Sequence, residues 1–122
     1  MADKLLVVMA NAHLDTPSEF QPPLLQATVA AAMGFEVEVL FTGHAGKLAI
    51  QGEAEKLVFK EDDNRTVLDH IREAKSAGVS FKVCTPTLQL WGENIIPEID
   101  ETVGGAYIIT EAMDDSVVTF TY

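Results

Sequence analysis

The chain holds a single cysteine, Cys84, among its 122 residues. No disulfide can close within it, and one unpaired thiol suits a reducing compartment. Basic residues are scarce: eight lysines and arginines stand against nineteen acidic residues, a formal net charge of −11. Such a surface repels phosphate backbones and anionic membranes, so neither nucleic acid nor membrane is expected as a partner. A protein partner is expected to offer a basic surface instead. Long apolar runs are missing too. Met1-Ala2-Asp3-Lys4 leads into only about five apolar residues, too few for a signal h-region or a membrane span. These absences together predict a cytoplasmic protein.

Other absences remove whole cysteine chemistries. Thr85 to Gly92 contains no arginine, which a phosphatase or arsenate-reductase loop needs to cradle its oxyanion. A dithiol oxidoreductase needs a second cysteine where Thr87 stands. A monothiol thioredoxin-like domain would carry its cysteine near the start, and a papain-like protease needs a larger scaffold. The glycine-rich turn Thr42-Gly43-His44-Ala45-Gly46 fits neither a Rossmann nor a P-loop pattern. Asn11 to Ser18 offers no flavodoxin-like phosphate loop. No nucleotide, flavin or other cofactor is expected.

What is present suits one domain spanning residues 1–122, since 48% of the residues are hydrophobic. Lys4–Ala10 reads as a strand buried on both faces. Pro22 and Pro23 open a helix through Met33, with Leu25, Val29, Ala32 and Met33 on one face and Gly34 as its stop. Residues 35–41 form the second strand. Thr66–Ala77 is an amphipathic helix with Val67, Leu68, Ile71 and Ala74 inward, closed by Gly78. Val79–Val83 is the third strand, and a short helix with Leu88 and Trp91 follows Cys84. Pro97–Glu101 reads as a short helix or turn. Ala106–Ile109 and Ser116–Tyr122 read as the last two strands, divided by residues 110–115. The alternation predicts a mostly parallel five-stranded α/β sheet with helices on both faces.

The candidate site follows from that arrangement. Loops leaving the carboxyl ends of parallel strands share one edge of the sheet, where open α/β folds place their ligands. Asn11 and His13 follow the first strand, Gly43 and His44 the second, and Cys84 the third. Thr85 and Pro86 read as an N-cap and first helical residue, so unpaired N–H groups and a helix dipole favour thiolate at Cys84. His13 and His44 each read as exposed loop residues, one of which is placed to hold Cys84 as thiolate. A His₂Cys metal site is the alternative, but the spacing supports none and no metal is expected. His70, on the polar face of its helix, is structural. Glu61-Asp62-Asp63 and Asp114-Asp115 are solvated loop charges. Trp91 and Leu88, one helical turn apart, belong to the core, or Trp91 covers the Cys84 pocket or a subunit contact.

The segment Cys84-Thr85-Pro86-Thr87-Leu88-Gln89-Leu90-Trp91-Gly92 resembles the DsrE/DsrF/DsrH and TusB/TusC/TusD group of small sulfur-relay proteins. Its cysteine, a hydroxyl residue three positions on and a helix-ending glycine match. Asp100, Glu101 and Val103 before Gly104-Gly105-Ala106, and the closing strand Val117–Tyr122, add to the likeness. Pro86 departs from it, because many relatives carry an apolar residue there. The resemblance implies a DsrE-like parallel α/β fold and a cysteine that carries sulfane sulfur as a persulfide. It implies sulfur-donor and sulfur-acceptor proteins as partners. It also implies a homo-oligomer (trimer or hexamer) or a hetero-oligomer of related subunits. Cys84 is then the catalytic residue of a sulfurtransferase or carrier. Thr85 and Thr87 are placed to bind the terminal sulfur, and Trp91 to help exclude water. A non-catalytic structural subunit and a His/Cys metal-binding module are the competing expectations.

Overall fold

In the computed structural model, which describes residues 3–122, five strands form one sheet in the order β4-β3-β2-β1-β5, and every pairing is parallel. Met1 and Ala2, which open the sequence before the first strand, lie outside the described residues. The strands are β1 (Lys4–Met9), β2 (Glu36–Phe41), β3 (Ser80–Cys84), β4 (Glu101–Val103) and β5 (Val117–Thr121). β1 lies inside the sheet between β2 and β5, and its last four residues are buried, as an apolar run inside a parallel sheet should be.

Four α-helices cover the sheet: α1 (Gln21–Ala32), α2 (Val67–Ala77), α3 (Thr85–Trp91) and α4 (Gly105–Ala112). Side chains alternate across a strand. Leu5, Val7, Met9, Val39, Phe41, Phe81 and Val83 therefore meet α1 and α2 on one face. Leu6, Val8, Leu40 and Val103 meet Tyr107 and Ile108 of α4 on the other. The helix α2 is legible in detail. Val67, Leu68, Ile71 and Ala74 are all buried, Thr66 and Asp69 form a reciprocal capping box, and Gly78 closes the helix at φ 112°.

The expectation for residues 97–109 is corrected. Residues 106–109 are helical, and the edge strand lies earlier, at Glu101–Val103, of which only Glu101 fell within the expected helix or turn. Ala-Tyr-Ile-Ile is too short for periodicity to separate a buried strand from a helix. Topology separates them: parallel neighbours need a crossover of about a dozen residues or more, which residues 110–115 cannot supply. With β4 and β5 on opposite edges, residues 104–116 make that crossing as α4.

α1 turns outward the face that Leu25, Val29, Ala32 and Met33 share. Its buried residues are Pro23, Leu24 and Ala27, whereas Leu25, Val29 and Met33 are 59%, 48% and 68% exposed. α1 is apolar around most of its circumference, so periodicity could not choose which side meets the sheet.

Candidate functional site at the carboxyl edge of the sheet

The loops after β1, β2 and β3 do converge at one edge. Gly43 turns with φ 57°, and a Cβ there would sit 2.9 Å from the Ala10 carbonyl oxygen. That close approach lets the His44 N–H donate to the same oxygen at 3.1 Å. The His13 and His44 rings then lie against each other, centroids 4.4 Å apart and tilted by 33°. The His13 N–H donates to Glu19 Oε1, and this bond, with help from Thr16, holds the Glu19 carboxyl below the ordinary range.

α3 docks on the same edge. Trp91 is half-buried, and its Nε1–H donates to the Gly43 carbonyl at 3.0 Å. The Lys47 ammonium sits 5.4 Å from the Trp91 ring centroid, within cation–π reach. Thr87 is buried against Gly46, where a Cβ would fall only 2.0 Å from Thr87 Cγ2. Gly46 thus lets the segment Gly43–Ala49, a 3₁₀ helix, pass directly beneath α3.

Cys84 ends β3 and is itself the N-cap of α3, with extended backbone at φ −75° and ψ 134°. Thr85, expected at the cap, is the first helical residue and Pro86 the second. The Thr85 hydroxyl donates instead to the Val103 carbonyl at 3.1 Å, tying α3 to the edge strand. The cap therefore falls one residue earlier, on the cysteine. Cys84 pairs with Val103 across the ladder and is only 4% exposed. Neither histidine hydrogen-bonds its thiol among the described residues, and both histidines are exposed. Among these residues no three His, Cys, Asp or Glu side chains cluster as a metal site.

One polar cluster escaped the sequence reading. Cys84 and Lys82 face the same side of β3, and Lys82 Nζ reaches Glu38 Oε1 at 2.6 Å and Glu101 at 3.1 Å. The Tyr107 hydroxyl donates to Glu38 (2.7–2.8 Å) and accepts from Lys82 at 2.8 Å. Lys4 completes it, 2.9 Å from Glu111 and 3.7 Å from Glu38. Glu38 is 3% exposed, so this network pins α4 to the sheet with a buried carboxylate. Its only trace in the sequence is charge inside strands, at Lys4, Glu38 and Lys82, and the strand register was needed to join them.

No family model and no curated protein matches the chain. Solved structures do share its architecture. The ychN protein of E. coli superposes with a TM-score of 0.70 at 15% identity, over 98% of this chain and 100% of that one. A conserved protein of unknown function from Bacteroides thetaiotaomicron, BT1422, gives 0.66 at 16% identity, over 98% and 95%. The chain is similar to both along nearly its whole length, and what they share with it is the fold: a five-stranded α/β sheet.

Proposed function

We propose that this protein is a DsrE-like sulfur carrier or sulfurtransferase in which Cys84 holds sulfane sulfur as a persulfide and passes it to a partner thiol. The observation that carries the reading is the place of Cys84: at the carboxyl end of a parallel strand, as the residue that opens α3. That position sets the cysteine on the edge of the sheet where open α/β folds place their ligands. The likeness of Cys84–Gly92 to the sulfur-relay proteins and the fold held in common with ychN support it.

The chemistry balances without an external oxidant. The Cys84 thiolate attacks the outer sulfur of a donor persulfide, R–S–SH. The donor S–S bond breaks, R–S⁻ departs, and Cys84–S–SH forms. An acceptor thiolate repeats the exchange and returns Cys84 to thiolate. With a net charge of −11, donors and acceptors bearing basic docking surfaces suit the protein.

The burial of Cys84 favours a second reading, an inert packing cysteine in a structural subunit. Intact-mass spectrometry after exposure to polysulfide separates the two. A carrier gains the mass of one or more sulfur atoms while folded, loses it with dithiothreitol, and shows no gain as Cys84→Ser. If sulfur uptake and iodoacetamide labelling occur only in urea, the thiol is a packing residue and the carrier reading fails.

A further inference from the structure

Cys84 ends a strand on the edge where α/β folds admit ligands, yet it is only 4% exposed. Part of its cover is the edge strand. Val103 is the ladder partner of Cys84, and paired residues of neighbouring strands turn their side chains to the same face. Val103 is itself 8% exposed, so its side chain closes the outer flank of the thiol. β4 is the outermost strand on that side of the sheet.

The segment carrying Val103 is fastened firmly at both ends and lightly between. At its start, the Asp100 N–H donates to the Phe81 carbonyl at 2.7 Å, and the Asp100 carboxylate accepts from the Phe81 N–H and from Lys75. Glu101 adds Lys82 at 3.1 Å. At its finish, the Tyr107 hydroxyl is bound to Glu38 and Lys82. Between these anchors Thr102, Gly104, Gly105 and Ala106 are exposed, and only Val103 is buried. The ladder ends at the pair Cys84–Val103, where the Thr85 hydroxyl holds the Val103 carbonyl. Gly104 and Gly105 follow, although neither has a positive φ and a Cβ on either would meet nothing within 4 Å. Glycines that neither backbone geometry nor packing demands leave the chain free to pivot there.

We propose that residues 102–106 are a strap that swings off Cys84 while the rest of the sheet stays folded, with the Thr85–Val103 hydrogen bond as its catch. Short edge segments with few buried contacts open far more readily than the whole domain. Open, the strap admits a donor persulfide to the thiolate. Closed, it shields Cys84–S–SH from water and stray thiols. What passes the strap rests on the carrier reading, whereas the strap itself rests on the contacts alone.

Iodoacetamide labelling of the full chain, read by intact mass at urea concentrations below the unfolding transition, tests it. The wild-type rate should be well under that of the urea-unfolded chain and flat in urea, because opening a strap exposes little surface. Thr85→Val removes the hydroxyl at nearly equal size and should speed labelling about three- to tenfold, and Thr85→Ser should restore the wild-type rate. Gly104→Ala with Gly105→Ala should slow labelling about fivefold without lowering the urea midpoint. A rate that climbs with urea from the start, that equals the unfolded chain's in native buffer, or that ignores Thr85→Val overturns the proposal. So does a thiol that is never labelled below the transition. Polysulfide uptake keeps the two readings apart. Labelling through the strap with no sulfur gained removes the carrier and leaves the strap. Sulfur gained at a rate indifferent to Thr85→Val keeps the carrier and removes the strap.

Discussion

Glu38→Gln is the sharpest probe of what holds α4 on the sheet. The native carboxylate takes hydrogen bonds from the Tyr107 hydroxyl and from Lys82, with Lys4 close by, at a site 3% exposed. The amide preserves shape but removes the charge. Lys82 then keeps the neutral Tyr107 hydroxyl and, as its one ion partner, Glu101, whose side chain is 57% exposed, while Lys4 keeps Glu111 and the 70% exposed Glu36. A charge-assisted hydrogen bond contributes about 1.5–3 kcal/mol, and orphaning a buried ionic partner costs about 3–5 kcal/mol. The residual pairs offset part of that, leaving an expected loss of about 3 kcal/mol and a melting temperature lower by roughly 10 °C. Urea unfolding followed by circular dichroism measures it. Glu38→Gln with Lys82→Met should lose less than the two single losses summed, because the double variant strands no ammonium. A Glu38→Gln loss under 1 kcal/mol, or strictly additive losses, would refute the claim that this network latches α4.

Two further outcomes follow from particular contacts. Gly46→Ala forces a methyl onto Thr87 and should cost about 1–3 kcal/mol by overpacking, with most of the stability restored by adding Thr87→Ala; an unrestored double variant would point to backbone strain at Gly46 instead. At alkaline pH, burial disfavours the Lys82 ammonium, but hydrogen bonds to Glu38, Tyr107 and Glu101 outweigh it and raise its pKa, while burial chiefly raises that of Tyr107. Both folded values exceed the unfolded ones, so this stabilisation is complete below pH ~10 and fades as pH climbs through the folded values. The urea midpoint should hold to about pH 9.5 and fall above 10.5, less steeply in Glu38→Gln; an equal fall in both proteins would contradict this origin.

Local chemistry decided much of the molecule before any tertiary contact. β1 and α2, with its Thr66 cap and Gly78 stop, are written in runs, periods and end signals that act over a few residues. So is the placing of Cys84 between a strand and a helix. That a lone cysteine would end a strand on the sheet edge from which the loops carrying His13 and His44 also leave was legible because parallel α/β topology sends strand ends to one edge. Other features required the assembled sheet. Pro86 announced a helix start, but only the Thr85–Val103 hydrogen bond moved the cap onto the cysteine. Residues 106–109 suit strand and helix about equally, and the need to carry the chain from one sheet edge to the other chose helix. The sides of α1 differ little in hydropathy, so packing of Leu24 and Ala27 against the sheet fixed its rotation and turned Leu25, Val29 and Met33 outward. Glu38 and Lys82 became partners, and Cys84 became buried, through register alone. Contacts between residues far apart in sequence carry no periodic signal, and these are the ones that folding had to supply.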